Sequence, residues 1–175
     1  MRAYERWCEA NELAVARTIY ELAIGTGQRL GDCVKMQWAD FDGKFMSVVQ
    51  DKTQAKLQIF CPARLRSYLA ALPKTGRFIL AKNLTDHIGK RQVQKAVEEV
   101  RAAIGVKEGE ERLVPHGWRY TAARELAEAG CPDSEIQAVT GHRTLAMVQK
   151  YRAQANQKEA SRRAQVQREQ NKHRT

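Results

Sequence analysis

The chain has 175 residues, about the length of one domain, and 43% of them are hydrophobic, which is enough for a core of its own. Thirty Lys and Arg against twenty Asp and Glu give a formal charge of +10, which favours a polyanionic partner. Residues 156–175 hold six of these basic residues and two acidic ones, so +6 remains on the rest of the chain. No apolar run approaches the roughly 18 residues of a membrane span, and no signal-peptide stretch is present, which indicates a cytoplasmic protein without a membrane partner.

The spacing of the cysteines argues against a metal site. No two of the four form a C-x-x-C pair, and none has a close His partner at zinc-ligand spacing. We therefore expect reduced thiols in the core, and neither a metal nor another cofactor. The cysteines are Cys8, Cys33, Cys61 and Cys131.

The first half of the chain predicts a long helix followed by a small sheet. Apolar residues recur at helical spacing over residues 11–24, and Gly25 and Gly27 then interrupt the pattern. A short helical piece near residues 32–36 comes next. Three runs of β-forming residues follow, the first two separated by an Asp42-Gly43 hairpin turn. The sequence thus predicts a three-stranded antiparallel sheet, with strands at residues 38–41, 45–49 and 57–60.

The second half of the chain is predicted to be helical, so that the expected fold class is α+β, mainly α. Thr144 is a candidate N-cap for a further turn or two ending near Tyr151. Residues 156–175, rich in Gln and Arg, predict a weak solvent-facing helix or a disordered tail. The other predicted helices lie at residues 63–71, 91–104, 117–129 and 132–139.

Four short segments concentrate polar residues that a plain core would not need. Taken singly, each has an ordinary structural explanation. Arg29 could close a helix C-terminus, where the dipole favours cations, and Lys52 could be a solvated turn residue. His142 could be a structural histidine, and Tyr151 a core or boundary aromatic. The segments are T-G-Q-R-L-G-D at 26–32, Lys52-Thr53, H-G-W-R at 116–119, and Gly141-His142 with Tyr151 nine residues after His142.

In their order and spacing the segments resemble the tyrosine recombinase and phage integrase family. That family carries a T-G-x-R-x-x-[E/D] segment, a hairpin lysine often followed by threonine, an H-x-x-R motif opening a helix, and a G-H pair nine residues before a nucleophilic tyrosine. The resemblance covers residues 13–156 and implies a helical catalytic domain with a small three-stranded antiparallel sheet. The matching residues are Arg29, Asp32, Lys52, His116, Arg119, His142 and Tyr151.

The resemblance implies that two arginines, Arg29 and Arg119, bind the scissile phosphate of double-stranded DNA. Planar guanidinium groups can meet non-bridging oxygens with paired hydrogen bonds as negative charge grows on them. Together with Lys52 they form the expected DNA-binding set. By the same resemblance, His142 donates a hydrogen bond to a phosphate oxygen and Asp32 orients its neighbours.

The resemblance also implies a metal-independent cleavage in which Tyr151 forms a 3′-phosphotyrosyl bond. A phenol with a pKa near ~10 is a poor nucleophile at neutral pH, so its proton must leave as the bond to phosphorus forms. His116 is the candidate base, and Lys52 the candidate acid that protonates the departing 5′ oxygen. Trp118 stands where the family more often has leucine, a change expected to affect packing rather than charge.

Family members generally carry a core-binding domain before the catalytic part, and here we expect that domain to be absent. The expected division is a catalytic domain over residues 1–155 and a basic tail over residues 156–175, which either packs on a neighbouring protomer or is disordered. The resemblance implies a tetramer on DNA for a full-length protein that integrates or excises a prophage or mobile element. For an isolated catalytic domain we expect a monomer with weak, salt-dependent DNA binding.

Three other functions are alternatives to that of an integrase. A type IB topoisomerase uses a similar set of residues to relax supercoils, although the G-H-to-tyrosine spacing and the T-G-Q-R segment favour an integrase. A non-catalytic helical DNA-binding module would use the same arginines and Lys52 only to hold phosphates. A metal-binding protein using Cys and His has no ligand spacing in its favour.

Overall fold

The computed structural model describes residues 2–106, 115–144 and 146–149, and residues 161–162, 164–166 and 168–169 near the C-terminus. As predicted, the fold is mainly helical with a small antiparallel sheet. Within the described residues there are seven named α-helices, one 3-10 helix and two strands. The helices are α1 (Arg2–Ala10), α2 (Ala14–Thr26), α3 (Leu30–Cys33), α4 (Ala63–Ala71), α5 (Lys90–Ala103), α6 (Pro115–Glu128) and α7 (Asp133–Thr140). The strands are β1 (Phe45–Val49) and β2 (Lys56–Phe60), and the 3-10 helix is Trp38–Asp40.

Helix α2 is the centre of the core and packs against α1, α3, α4, α5 and α6. Its largest apolar side chains, Ile19, Tyr20 and Leu22, are fully buried. The helix ends at Gly27, whose left-handed backbone (φ 65°) lets its N–H bond the Ala23 carbonyl. After this reversal, the side chains of the next two residues, Gln28 and Arg29, contact Gln50 at the end of β1.

Three aromatic rings hold α1, α2 and α6 together. Tyr4, Tyr20 and Trp118 contact one another pairwise, with ring centroids 5.4–5.5 Å apart and the tryptophan ring nearly perpendicular to the Tyr20 ring. Edge-to-face contacts of this kind stabilise beyond simple area burial. Trp118 is almost fully buried, so its effect is on packing, as expected for this position. Its burial fixes the side of α6 from which the next residue, Arg119, projects.

The sheet has two strands rather than the three that the sequence predicts. β1 and β2 pair antiparallel from Phe45↔Phe60 to Val49↔Lys56. Residues 38–40 form the 3-10 helix instead, and Phe41 after it pairs with Met46 of β1 in an isolated bridge. The prediction was wrong here because the Asp40 carboxylate accepts the N–H of Gln37 at 3.0 Å, and such a local cap stabilises a helical turn over an extended strand.

The other predicted elements are present with shifted ends. The helix predicted at residues 11–24 begins at Ala14 and continues through Gly25 to Thr26, and the short helix predicted near residues 32–36 lies at Leu30–Cys33. The helix predicted at residues 63–71 is α4 itself, and α5, α6 and α7 each lie within one or two residues of the predicted bounds. Residues 146–149 are helical after Thr144, and the described residues near the C-terminus are helical and exposed. None of the helices among the described residues has the length and apolar character needed to cross a membrane.

Three of the four cysteines are buried thiols, as predicted, and Cys131 is half-buried. Burial raises the pKa of the Cys8 and Cys61 thiols to about 11 and that of Cys33 to about 12. A raised pKa reduces the thiolate fraction, which is the reactive form. The three buried thiols are therefore protected both by exclusion of the reagent and by protonation.

We expect native alkylation with iodoacetamide near neutral pH to label Cys131 first, about a hundredfold or more faster than the other three thiols. Mass spectrometry of the labelled peptides over time measures these rates. In guanidinium chloride all four cysteines should react alike, which provides the control. Equal rates in the folded protein would contradict the burial described above.

Candidate active site

The polar segments singled out in the sequence meet at one place in the fold, around the turn that follows α2. One segment is this turn itself, and a second is the connection between β1 and β2. The third is the N-terminal half of α6, and the fourth is the end of α7 with the residues after it. Side-chain hydrogen bonds connect the turn after α2 to each of the others, directly or through one intermediate residue.

The side chain of Gln50, at the end of β1, is the central connection of this cluster. It is completely buried, and its amide nitrogen donates to the Oε1 of Gln28 at 2.6 Å and to the carbonyl of Thr140 at 2.8 Å. Its own Oε1 accepts hydrogen bonds from the Thr53 hydroxyl at 2.6 Å and from Nη1 of Arg29 at 3.3 Å. One amide group thereby joins the turn after α2, the β1–β2 connection and the end of α7.

Gln28, on the turn after α2, also uses its side-chain amide to connect these segments. Its amide nitrogen donates to the carbonyls of Thr26 at 3.0 Å and Val139 at 2.9 Å, while its Oε1 accepts the bond from Gln50. Both glutamine side chains are almost without solvent contact. Because buried polar groups are costly unless they are paired, the two amides strongly favour this one relative placement of the three segments.

Arg29 lies at the N-terminus of α3, and its side chain is 23% exposed. Its Nη1 is 3.8 Å from Oδ2 of Asp32, whose side chain is only 3% exposed. The other carboxylate oxygen of Asp32 accepts the backbone N–H of Asp51 at 2.9 Å. Asp32 therefore joins the guanidinium to the connection between the strands, and the guanidinium retains an open side.

Arg119 comes from α6 and is only 2% exposed. Its Nη1 donates to the carbonyl of Gly27 at 2.9 Å, directly beneath the turn that carries Arg29. This contact has a structural role, because it satisfies a carbonyl at the end of α2. It also places two guanidinium groups on one turn of the backbone, an arrangement suited to a bound anion.

Lys52 lies in the connection between the strands, and its side chain is exposed. The backbone on either side of it is held in place. Thr53 accepts a hydrogen bond from Nη2 of Arg143 at its carbonyl, 2.9 Å away, and Asp51 pairs with Lys35 at 2.7 Å. The backbone that carries Lys52 is thus held in place, and its neighbours Asp51 and Gln50 bond Asp32 and Arg29.

His142 follows the end of α7 and is 6% exposed. Its Nδ1 is 2.7 Å from the hydroxyl of Thr140, and its carbonyl accepts the side chain of Gln137 at 3.2 Å. Between them, Gly141 has a left-handed backbone (φ 67°), and a Cβ there would lie 2.6 Å from Nε2 of Gln50. Only glycine satisfies both the backbone angle and the space, so the G-H pair is a requirement of the packing as well as of any chemistry.

The structure therefore brings together five of the predicted site residues and leaves two outside its description. These five lie on the turn after α2, on the connection between the strands, on α6 and after α7. The backbone of His116 lies in the first turn of α6, one turn before Arg119, but its side chain is outside the described residues, and so is all of Tyr151. The five are Arg29, Asp32, Lys52, Arg119 and His142.

Sequence reasoning did not identify Gln28, Gln50 or Thr140 as site residues. Gln28 lies inside the T-G-Q-R segment and Gln50 only two residues before Lys52, so their positions carried a weak signal. Their role depends on burial and on partners up to 111 residues away in the chain. Neither property is visible in a single sequence.

The chain is similar to known proteins over most of its length. The model of the Phage integrase family matches residues 2–158. The integrases of Escherichia phages HK022 and lambda are each 28% identical to the chain over 145 residues, which are 78% of this chain and 40% of each integrase. The chain thus spans about two-fifths of the length of these curated relatives.

Solved structures show the same fold. The crystal structure of a lambda integrase(75–356) dimer bound to a COC′ core site has a TM-score of 0.71 and 26% identity, covering 86% of this chain and 56% of that one. The structure of the lambda integrase catalytic core has a TM-score of 0.66 at 24% identity, covering 80% of this chain and 90% of that one.

We expect Gln50→Ala to lower the free energy of unfolding by about 2–4 kcal/mol, because several buried donors and acceptors lose their partner at once. Chemical denaturation monitored by circular dichroism measures the change. Gln58→Ala is the matched control, since Gln58 lies on the same hairpin but bonds Ser47 at an exposed position. Its effect should stay within about 0.5 kcal/mol. Similar losses of unfolding free energy in the two variants would contradict the central role of Gln50 in the hydrogen-bond cluster.

Proposed function

We propose that this chain, which belongs to the phage integrase family, contains the catalytic domain of a tyrosine recombinase that cuts and rejoins double-stranded DNA. The reaction would be site-specific integration or excision of a prophage or mobile element, through a covalent 3′-phosphotyrosyl bond to Tyr151. One observation carries the proposal most directly. The guanidinium groups of Arg29 and Arg119 are both held at the turn after α2, with Lys52 and His142 on the segments that pack against it.

The charge of the cluster fits a phosphodiester. Four cationic side chains, counting Arg143, stand against the single buried carboxylate of Asp32 in the described part of the site. A phosphoryl group in its transition state carries extra negative charge on its non-bridging oxygens. Donors that are already held in place stabilise that charge without reorganising, and each typically contributes ~3–4 kcal/mol.

In the proposed reaction, the Oη of Tyr151 attacks phosphorus and the bond from phosphorus to the 5′ oxygen breaks. His116 takes the phenolic proton, and Lys52 gives a proton to the departing 5′ oxygen. Arg29 and Arg119 bind the non-bridging oxygens, to which His142 also donates a hydrogen bond. The phosphodiester is exchanged for a phosphotyrosyl ester, so the free 5′ hydroxyl can reverse the step or attack from another strand without ATP.

Solved structures of lambda integrase support the proposed partners, since they show a dimer bound to a core site and a tetramer bound to a Holliday junction. We propose that the full-length protein likewise forms a tetramer on DNA, and that an isolated catalytic domain is a monomer. The proposed catalytic domain covers residues 1–155, followed by the basic tail at 156–175. Because its proposed substrate is DNA, we place the protein in the cytoplasm.

The family match does not favour a type IB topoisomerase or a non-catalytic DNA-binding module. These alternatives differ from the proposal in what they require of Tyr151. A non-catalytic module would hold DNA equally well without the phenol. A covalent adduct with DNA therefore separates the proposal from that alternative.

We expect the wild-type chain to form a covalent adduct with a pool of nicked DNA duplexes of randomised sequence, in which the nick traps the cleaved strand. Denaturing electrophoresis detects the adduct, and Tyr151→Phe should abolish it because the phenol oxygen is lost. Tyr68→Phe is the matched control, since its hydroxyl bonds Thr18 away from the site. An adduct that persists in Tyr151→Phe, or its absence from wild type with every duplex, would contradict the proposal.

Replacing either Arg29 or Arg119 with lysine should slow adduct formation about a hundredfold or more, because an ammonium cannot reproduce the paired hydrogen bonds of a guanidinium. Arg124→Lys on α6 is the control, since Arg124 makes only a half-exposed ion pair with Glu128. Its rate should stay within about threefold of wild type. The rates come from time courses of the same gel assay, and unchanged rates in the first two variants would argue against their role.

A further inference from the structure

The hydroxyl of Thr140 lies between two polar atoms at the end of α7. Its Oγ1 is 2.6 Å from the carbonyl oxygen of Ile136 and 2.7 Å from Nδ1 of His142. Thr140 and Ile136 are fully buried, and His142 nearly so. The contacts among these three groups are therefore made largely without water.

Counting hydrogens assigns the proton on the imidazole. A carbonyl oxygen can only accept, and 2.6 Å is the distance of an O–H···O hydrogen bond, so the single hydroxyl hydrogen of Thr140 lies toward Ile136. The hydroxyl then offers His142 only a lone pair. Two lone pairs at 2.7 Å would repel, so Nδ1 of His142 must carry a hydrogen and donate it to Thr140.

This proton position decides what the other ring nitrogen can do. In a neutral imidazole with its hydrogen on Nδ1, Nε2 is a bare acceptor, which repels a phosphate oxygen. Nε2 becomes a donor only when the ring is doubly protonated. We propose that Thr140 is a positioning residue whose hydroxyl keeps a proton on Nδ1 of His142, so that this histidine meets the scissile phosphate as an imidazolium cation. The phosphate part of this statement rests on the function proposed above.

The surrounding backbone holds Thr140 and His142 in the orientation that this bond requires. Gln50 donates to the carbonyl of Thr140, and Gln137 donates to the carbonyl of His142. Gly141 fixes the bend between them. Turning the ring over would place a carbon against the Thr140 hydroxyl and lose the bond, so the ring has one favoured orientation.

The charges around His142 make the second protonation of its ring depend on the bound substrate. His142 follows the C-terminus of α7, where the helix dipole favours a cation, and Asp32 adds one buried carboxylate. The cations of the cluster disfavour a positive charge on His142. A bound phosphate, being negative, favours that charge. The segments that meet at the cluster carry the charged groups Arg29, Asp32, Asp51, Lys52, Arg119 and Arg143. Helix α7 itself carries Asp133 and Glu135 in its first turn, and the elements packed against it, α6 and β2, add Arg124, Glu125, Glu128 and Lys56.

The proton position can be measured directly by ring ¹⁵N NMR on the 175-residue chain without DNA, with His142→Asn used to assign the signal. At a pH where the ring is neutral, we expect the hydrogen on Nδ1 in wild type and in Thr140→Ser, which keeps the hydroxyl. In Thr140→Val the hydrogen should move largely to Nε2. A neutral wild-type ring with its hydrogen on Nε2 overturns the proposal, as does a valine variant that keeps it on Nδ1.

Thr26→Val is the matched control for the loss of a buried hydroxyl. Thr26 donates to the carbonyl of Leu22, four residues earlier, at 2.6 Å, in the same way as Thr140 does to Ile136. It should leave the His142 ring signals unchanged, whereas a shift equal to that of Thr140→Val would assign the effect to general loosening of the fold. If the valine variant does not fold, Thr140→Ala provides the same comparison.

Adduct formation provides the test of the phosphate part. The ratio of wild-type to Thr140→Val rates should fall about tenfold between about pH 6 and pH 9, because only the variant can place a hydrogen on Nε2 of the neutral ring. For Thr140→Ser the ratio should stay constant. If the ratio of wild-type to Thr140→Val rates stays constant with pH, the phosphate part of the proposal is overturned. Failure of every chain to form an adduct contradicts the proposed function, while the proton position measured by NMR stands independently.

Discussion

The hydrogen bond between the side-chain amides of Gln28 and Gln50 is the interaction on which the geometry of the site depends. Gln50, the donor in this bond, also donates to the carbonyl of Thr140, and Gln28, the acceptor, donates to the carbonyls of Val139 and Thr26. The turn after α2, the strand connection and the G-H pair are therefore held together by buried groups that have few alternative partners. Without this pair, the predicted catalytic side chains would stand on three segments connected mainly by apolar packing.

This framework accounts for the presence of cations so close together. Arg119 is held by the carbonyl of Gly27, and Arg29 by Gln50 and Asp32, so each guanidinium has polar partners before any substrate arrives. Burying charge is costly unless it is paired, and these partners offset that cost. The arrangement is ready for an anion because its donors are positioned by the fold rather than by the ligand.

Much of this could be predicted from the sequence, for reasons that are local. The apolar spacing of α4 and the alternation of β1 depend on neighbouring residues, and the motifs with Arg29, Lys52 and His142 are short. The strand predicted at residues 38–41 failed because the Asp40 cap outweighs β-propensity. Gln50 and Thr140 were missed because their meaning comes from burial and from a contact 90 residues apart in sequence, which no periodicity reveals.

We propose that the fold holds Arg29 and Arg119 in place to bind one phosphate. A crystal structure of the chain on a nicked DNA duplex, with orthovanadate in place of the scissile phosphate, tests it most directly. We expect both guanidinium groups at about 2.7–2.9 Å from oxygens of the same vanadate, with the Gln28–Gln50 bond intact. Vanadate bound by only one arginine, or bound only after the two glutamines separate, would contradict it.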